Sequence, residues 1–226
     1  MGFFFSKIMR NLVILYIIFS GVQFLLRWKS YNISPKEFKL IAGKSIDPNP
    51  ATAVKKFSNE IRQKYDRAIV PDQPWNEIFL GGLNLQALFL HASLTEYAAV
   101  FYAPFSTSGR AGLHWSNSTC NVLSGSVKRQ LGSDRLASKE AFSSGGNFRH
   151  GQFDSYIYAF SDDTTIACYG RGIMPFSGLW TATGALANGD PLSFGHLMYH
   201  YAHAMLHQVT HSVTSTINHY KKKAEL

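Results

Sequence analysis

The sequence predicts an α+β protein in which a region of short strands is flanked by helical segments. Residues 33–72 show a helical spacing of apolar side chains. Residues 106–175 alternate short β-prone runs with clusters of Gly, Ser, Asn and Asp, at intervals typical of an antiparallel barrel or sandwich. The chain has 226 residues, of which 46% are apolar. This composition is sufficient for the core of one domain with an appendage.

The first 30 residues are predicted to form a membrane anchor. Asn11 to Leu26 is an uncharged run of 16 residues, closed by Arg10 and Arg27. As a helix it would span ~24 Å, slightly less than a hydrocarbon core of ~30 Å, and flanking basic side chains can bridge the difference. A cleaved signal peptide is the alternative, but the bulky sequence Leu25-Leu26-Arg27-Trp28 offers no small-residue cleavage site.

Helices are predicted over residues 33–101, strands over 106–175 and helices again over 176–222. Ser34-Pro35 is a typical helix start, and Ala53 to Tyr65 has helical apolar spacing. The long apolar stretch from Trp75 to Phe101 is interpreted as a buried helix that begins near Gly81-Gly82. Glu96 would then lie in the middle of that helix as a buried carboxylate satisfied by neighbouring donors.

Composition excludes several classes of function. Aromatic residues reach 14%, which is typical of a large apolar pocket or a membrane-facing surface. The net charge is +8, but the basic residues are scattered, so we expect no nucleic-acid partner. Neither a nucleophile elbow nor a phosphate-binding glycine loop is present. Two cysteines, Cys120 and Cys168, do not make a disulfide scaffold.

Five histidines follow one another at helical spacing near the C-terminus, and we call them the histidine ladder: His196, His200, His203, His207 and His211. Histidine pairs at i, i+4 can chelate a metal ion. However, the ladder contains no carboxylate to orient a ring nitrogen. We therefore interpret it as the weakly polar face of an amphipathic helix, and we expect neither a metal site nor a cofactor.

Several blocks in the sequence resemble the family that contains the sigma non-opioid intracellular receptor and the fungal C-8 sterol isomerase. The resemblance extends from about Trp75 to Met205. It is carried by Trp75 with Gly81-Gly82, HASLTEY (91–97), Gly109-x-x-Gly112-x-x-Trp115, Ser124-Gly125, His150-Gly151 and YGRGIMP (169–175), all in family order.

The resemblance implies a cupin-like β-barrel that encloses an elongated apolar pocket and is capped by helices. It also implies a C-terminal pair of amphipathic helices on the endoplasmic reticulum membrane and a homo-oligomer, commonly a trimer. The pocket-lining positions of the family correspond here to Ile78, Leu83, Ala87, Phe89, Tyr97, Phe101, His114, Trp115, Tyr158, Phe160 and Tyr201. A family histidine corresponds to His150, for which Asp154 is a candidate acid/base partner.

The two carboxylates at the functional centre of the family correspond to Cys120 and Cys168. A thiol is a weaker acid than a carboxylic acid by ~4 pKa units, or roughly 6 kcal/mol, and an apolar pocket weakens it further. Protonation of a sterol alkene is therefore disfavoured. Three roles remain for the pair: a disulfide, catalytic thiols assisted by His150, or apolar filler.

The sequence thus predicts a membrane-bound isomerase or cyclase that acts on a hydrophobic small molecule of terpenoid, sterol or polyketide type, as in secondary metabolism. The candidate catalytic residues are Cys120, Cys168, His150, His114 and Tyr97. Two alternatives are a receptor that binds hydrophobic ligands without catalysis and a C-8 sterol isomerase of sterol biosynthesis.

Overall fold

The computed structural model describes residues 2–28, 31–71, 73–132 and 138–224. The chain divides into two units, residues 1–32 and 33–226. The first unit contains one helix, α1 (Gly2–Trp28). Lys7–Phe24 within it is long and apolar enough to cross a membrane, with a mean hydropathy of 1.3. A signal sequence would meet the same criterion, so the helix itself does not separate the two interpretations of this segment.

The second unit begins with two helices, α2 (Pro35–Lys44) and α3 (Pro50–Tyr65). Asn49 caps α3, because its side chain accepts a hydrogen bond from the backbone N–H of Thr52 at 3.2 Å. The amphipathic pattern expected for this region is present, since Phe38, Phe57 and Ile61 are fully buried. The rings of Phe38 and Phe57 meet edge to face at 5.3 Å.

Within the described residues, ten strands form two antiparallel sheets. The strands are β1 (Asn76–Leu80), β2 (Leu83–Ala92), β3 (Glu96–Ala103), β4 (Thr107–Arg110), β5 (Ser116–Ser124), β6 (Ser126–Leu131), β7 (Glu140–Ser143), β8 (Asn147–His150), β9 (Tyr156–Phe160) and β10 (Thr164–Gly172). The large sheet has the order β1-β2-β3-β10-β5-β8, and the small sheet has the order β4-β9-β6-β7.

The predicted fold class is confirmed: this is an α+β protein with a cupin-like arrangement of strands around an apolar interior. The two sheets do not close into one continuous barrel. One apolar cluster lies between the large sheet and helices α2 and α3, and includes Leu90, Val100 and Tyr169. A second cluster lies between the two sheets and includes Leu85, Val127 and Phe160.

The prediction of helices throughout residues 33–101 holds only as far as Ala68, where a short 3-10 turn after α3 ends. Trp75–Phe101 contains β1, β2 and most of β3 instead of a buried helix, and Gly81-Gly82 is the turn between β1 and β2. The run is continuously apolar because the large sheet is covered on both faces. Leu88 and Leu90 pack toward the helices, whereas Leu83 and Leu85 pack toward the small sheet. The strand region therefore begins at Asn76 rather than at residue 106.

Glu96 begins β3 rather than lying within a helix, but its predicted role as a satisfied buried carboxylate is correct. The residue is 1% exposed. Its carboxylate accepts a hydrogen bond from the Tyr169 hydroxyl at 2.9 Å and lies 3.4 Å from His91 Nε2. Arg171 donates to the same tyrosine oxygen at 2.7 Å and to the Ile33 carbonyl at 2.9 Å. This network ties the large sheet to the start of the domain.

Two helices close the chain, α4 (Met174–Ala187) and α5 (Pro191–Ala224). Leu197 of α5 joins the cluster between the sheets, and Ala204 packs on Val70 and Ala92. His196 and His203 of the histidine ladder are exposed, and the side chain of His211 lies outside the described residues. Among the described residues, no group of three or more His, Cys, Asp or Glu side chains is arranged to hold a metal ion.

Candidate functional site

A cavity of about 110 Å³ lies between the two sheets. Its wall is formed by apolar and aromatic side chains together with a few polar groups: Leu80, Leu83, Leu85, Tyr97, Phe101, Ala111, His114, Ser118, Cys120, Phe148, His150, Tyr158, Phe160, Ile166 and Cys168. No carboxylate is among these described lining residues. The cavity is therefore an apolar site in which the ionisable groups are two histidines and two tyrosines.

The alternation of side chains along each strand explains why these residues face the cavity. Cys120 and Ser118 are two residues apart on β5, as are Phe148 and His150 on β8 and Tyr158 and Phe160 on β9. Because alternate residues of a strand point to the same face, each strand contributes such a pair to the cavity. The intervening residues face the helices or solvent.

Cys120 and Cys168 are joined by a disulfide bond in the cavity wall. They are directly opposite each other on the adjacent strands β5 and β10. Their Sγ atoms are 2.01 Å apart and their Cα atoms 4.1 Å apart. Of the three roles that the sequence allowed, the structure contains the disulfide. The assignment of catalytic thiols does not hold in this state, because a disulfide has neither a thiol proton nor a thiolate.

His150 lies on the cavity wall and is hydrogen-bonded to Tyr158. The distance from His150 Nδ1 to the Tyr158 hydroxyl is 2.9 Å. His150 is 6% exposed, and its second nitrogen, Nε2, is buried without a hydrogen-bond partner. Burial, with a smaller contribution from the nearby His114 imidazole, lowers the pKa of His150 to about 4. The ring is therefore neutral at pH 7.

Arg129 of β6 is the register partner of Tyr158 on β9, so the guanidinium group lies close to this tyrosine. Burial raises the pKa of Tyr158 well above its ordinary value, and Arg129 opposes that shift. Arg129 itself is held by an ion pair with Glu140, by the Arg149 carbonyl and by the faces of aromatic rings. The sequence-based reasoning did not identify Arg129. Its place on the strand β6, beside β9, could not be inferred without the pairing of the small sheet.

His114 and Tyr97 complete the polar part of the cavity. The rings of His114 and His150 meet edge to face at 5.2 Å. Burial lowers the pKa of His114, so this imidazole is also neutral at pH 7. The Tyr97 hydroxyl donates to Ser118 Oγ at 3.0 Å, and burial raises its pKa. Gly170 lies beneath the Tyr97 ring, where a Cβ atom would come within 2.2 Å of Cε1.

Comparison with known proteins identifies the family of this chain. The model of the family described as ERG2 and Sigma1 receptor like protein matches residues 9–213. The chain belongs to this family. Among curated members, the sigma non-opioid intracellular receptor 1 of Xenopus tropicalis is 30% identical over 193 residues, covering 82% of this chain and 86% of the relative. The receptor of the same name from Danio rerio is 27% identical over 173 residues, covering 74% and 77%.

Two solved structures share part of the strand arrangement. KdgF from Halomonas sp. matches 46% of this chain and 91% of its own, with a TM-score of 0.37 and 13% identity. An RmlC-like cupin from Shewanella frigidimarina matches 45% and 85%, with a TM-score of 0.38 and 11% identity.

Some of the residues carried over from the ERG2 and Sigma1 receptor like family line the cavity and others do not. Tyr97, His114, Cys120, His150 and Cys168, the candidate catalytic set, all line it, as do Leu83, Phe101, Tyr158 and Phe160. Ile78 and Ala87 belong to the same apolar cluster but lie outside the lining set.

Three further predicted binding residues lie away from the cavity surface. Phe89 packs edge to face on Tyr201 at 5.5 Å, and the Tyr201 hydroxyl donates to the Ser93 carbonyl at 2.7 Å. Trp115 meets Phe153 edge to face at 5.1 Å between ring centres and packs at a tilt against Phe176 at 5.0 Å. Asp154 is likewise no part of the cavity, because its carboxylate accepts the backbone N–H of Gly151 at 2.8 Å.

Six lining residues were missed by the sequence-based reasoning: Leu80, Leu85, Ala111, Ser118, Phe148 and Ile166. Five of them lie two positions from a residue that was predicted, namely Ile78, Leu83, Cys120, His150 or Cys168. A period-two reading of the strands would have found those five. Ala111 follows from no such rule, because it lies in a loop after β4.

Proposed function

We propose that this chain is a membrane-bound isomerase or cyclase that acts on a hydrophobic small molecule inside the cavity. The observation that carries the proposal is an apolar cavity with two neutral imidazoles in its wall, His114 in the loop after β4 and His150 on β8. Such groups transfer protons efficiently when their protonation state suits the working pH. The apolar wall and the family of the chain support a substrate of terpenoid, sterol or polyketide type.

The two histidines of the cavity would have different roles in proton transfer. His114 is neutral at pH 7 and can accept a proton from carbon, provided that a neighbouring group acidifies that carbon. His150 is neutral as well and is hydrogen-bonded to Tyr158 at 2.9 Å, so the pair can exchange a proton with a bound substrate. With their rings 5.2 Å apart, the two imidazoles can act on neighbouring atoms of one substrate.

Sterol C-8 isomerisation is the less favoured candidate. The positions that resemble the family's carboxylates are here occupied by the disulfide, which cannot protonate an alkene. Protonated His150 would be a strong acid, but with a pKa of about 4 it is populated at only ~0.1% at pH 7. Complementation of a fungal strain that lacks the C-8 isomerase tests this candidate directly, and we expect no rescue.

A receptor that binds hydrophobic ligands without turnover is the second candidate function. One specific observation favours it: the disulfide fixes β5 to β10 and leaves no reactive sulfur in the wall. Relatives in the family are named receptors. Saturable binding of a hydrophobic ligand with no product formed, by the same preparation that is tested for turnover, would establish this function instead.

The test of the enzyme proposal is turnover of candidate unsaturated terpenoid and polyketide intermediates by microsomes that carry the full chain. His150→Phe and His114→Phe should each lower kcat by about 10²–10⁴-fold, because each removes an acid/base group. His196→Gln is the matched control, since this exposed histidine lies outside the cavity, and its rate should equal that of the wild type. Equal rates in all three variants would refute the assignment.

We further propose an endoplasmic reticulum membrane location, with residues 1–30 as the anchor and α4 and α5 resting on the membrane. The apolar helix α1 and the exposed Leu179, Leu186, Leu192 and Leu206 support this arrangement. A disulfide persists in the oxidising lumen, which supports the same location. Carbonate extraction of microsomes tests membrane integration. Crosslinking in detergent tests the homo-oligomer, for which a trimer is the expected size.

A further inference from the structure

The sequence contains two acceptor motifs for N-linked glycosylation that the proposed reaction does not use. Such a motif is an asparagine followed by any residue except proline and then by serine or threonine. It occurs as Asn32-Ile33-Ser34 and as Asn117-Ser118-Thr119. A glycan is bulky and hydrophilic, so the folded protein can carry one only where the asparagine is at the surface.

Asn117 lies on β5 with its side chain exposed. Side chains alternate along the strand, so Ser118 faces the cavity while Asn117 and Thr119 face the opposite side of the sheet. The Asn117 amide oxygen accepts hydrogen bonds from the Gln152 backbone N–H at 3.2 Å and from Arg149 Nη2 at 3.3 Å. Both partners can only donate, so they turn Oδ1 toward the protein and leave Nδ2 on the other side of the amide.

A glycan at Asn117 is compatible with these contacts. N-glycosylation replaces one hydrogen on Nδ2 and leaves Oδ1 able to accept the same two hydrogen bonds. The folded domain can therefore hold the modified side chain in the position that the unmodified one has.

Asn32 is a poorer acceptor. It lies four positions after Trp28, the last residue of α1, and four extended residues span at most ~14 Å. With α1 across the membrane, Asn32 would stay near the bilayer surface, whereas a membrane-bound transferase needs its acceptor held clear of that surface. The next residue, Ile33, is also fully buried in the folded domain.

The disulfide supports entry of the Asn117 motif into the lumen. Cys120 directly follows Thr119 and is bonded to Cys168, and disulfides persist in the compartment where N-glycans are added. Cys168 lies 48 residues further along the chain, so at roughly 5–20 residues per second it is synthesised about 2–10 s later. When the motif first emerges, β10 is therefore still absent, and β5 is open to a modifying enzyme.

We propose that Asn117 carries an N-linked glycan, added in the lumen of the endoplasmic reticulum before β5 pairs with β10. The site goes beyond the proposed function: it rests on the membrane location proposed above and does not depend on turnover.

The donor for this transfer would be an oligosaccharide linked to a lipid diphosphate. Nδ2 of Asn117 forms a bond to C1 of the first sugar while the bond from C1 to the diphosphate oxygen breaks. The lipid diphosphate leaves with the electron pair of that bond, and the displaced Nδ2 proton passes to a base. Nothing is oxidised or reduced.

The test is the gel mobility of the full chain, synthesised in the presence of endoplasmic reticulum microsomes, before and after treatment with an enzyme that removes N-glycans. The wild type should show the shift of one glycan, and the treatment should abolish that shift. Asn117→Gln and Thr119→Val should each lose it, because the motif needs both the amide and the hydroxyl group. Since transfer precedes folding, a variant that folds poorly still reports on the site.

Two matched controls keep the assignment specific. Thr119→Ser preserves the hydroxyl group and should keep the shift, and Asn32→Gln removes the other motif and should keep it as well. A wild type without the shift would overturn the proposal. So would a shift that survives Asn117→Gln and disappears in Asn32→Gln.

Protease protection of the sealed microsomes separates this proposal from the others. A domain that is protected but carries no glycan would refute the site at Asn117 and leave the lumenal location standing. A domain that is digested from outside would refute both. A glycan at Asn117 on protein that turns over no substrate would support the site and count against the enzyme proposal alone.

Discussion

A neutral imidazole in an apolar wall makes His150 a determinant of stability as well as of the site. Burial lowers its pKa in the folded protein from 6.5 to about 4. In the unfolded chain the ring titrates near 6.5, so between these two values the unfolded state binds more protons than the folded state. The free energy of unfolding must then fall as the pH is lowered from about 6.5 towards 4. The contribution of His150 reaches about 3 kcal/mol at most.

His150→Phe should therefore reduce the acid sensitivity of folding. Phenylalanine keeps the ring in the cavity but has no proton to bind, so the decline in stability between pH 6.5 and 4 should become shallower. Urea denaturation of the full chain in detergent, at a series of pH values, measures this slope. Tyr156→Phe serves as the control and should retain the wild-type slope. The same slope in all three proteins would contradict the assigned pKa shift.

At the scale of elements, Gly125 forms the corner at which the chain passes from the large sheet to the small one. It separates β5, which ends at Ser124, from β6, which begins at Ser126. Its φ is +74°, and a Cβ atom there would come within 2.4 Å of Thr164 Oγ1 and 2.8 Å of Thr164 Cα. Both the backbone conformation and the close approach require glycine.

Gly125→Ala should consequently lower the free energy of unfolding by about 2–4 kcal/mol, through backbone strain and the clash with Thr164. Gly43→Ala is the matched control, because a Cβ atom at Gly43, within α2, would have no neighbour within 4 Å. That change should be neutral or stabilising by up to about 1 kcal/mol. Thermal melts of both variants provide the comparison. A loss in the Gly43 variant as large as in the Gly125 variant would refute the corner argument.

The elements also show what the sequence could and could not reveal about the fold. The helices α2 and α3 could be predicted because each has one buried face and polar residues on the other. The strands β1 to β3 could not, because a strand covered on both faces loses its alternation and becomes as continuously apolar as a buried helix. Gly81-Gly82 forms the hairpin turn between β1 and β2. Two consecutive glycines are typical of a turn, but the pair was interpreted as a helix start.

The residues of the candidate site were predicted in part. The candidates Tyr97, His114 and His150 line the cavity, and they were placed there by resemblance to a family rather than by spacing in the chain. The role of Tyr158 as partner of His150 depends on how β8 of the large sheet and β9 of the small sheet approach each other. Contacts between strands of different sheets cannot be inferred from a single sequence.

For the molecule as a whole, the disulfide links two strands separated by 48 residues. Closing a loop of this length in the unfolded chain corresponds to about 4 kcal/mol in the chain-entropy model, with 2–4 kcal/mol typical of measurements. The bond also joins β5 and β10, two inner strands of the large sheet, on the face that lines the cavity. Loss of the disulfide should therefore destabilise the whole domain.

The double variant Cys120→Ala, Cys168→Ala should lose about 2–4 kcal/mol of unfolding free energy relative to the oxidised wild type. Treatment of the unfolded wild type with reductant before refolding should give a comparable loss. Thiol labelling in denaturant should detect no thiols in the wild type without reductant and two with it. Two labelled thiols without reductant, from protein prepared in an oxidising compartment, would contradict the disulfide.

The cross-link also has a consequence for how the protein is produced. A host cytosol that keeps thiols reduced would yield a chain of the same sequence with two S–H groups facing the cavity in place of the S–S bond. That preparation would be a chemically different molecule, with weak donors and a nucleophile where the secretory-pathway product has an inert wall. Ligand screens and activity assays should therefore be matched for oxidation history before their results are compared.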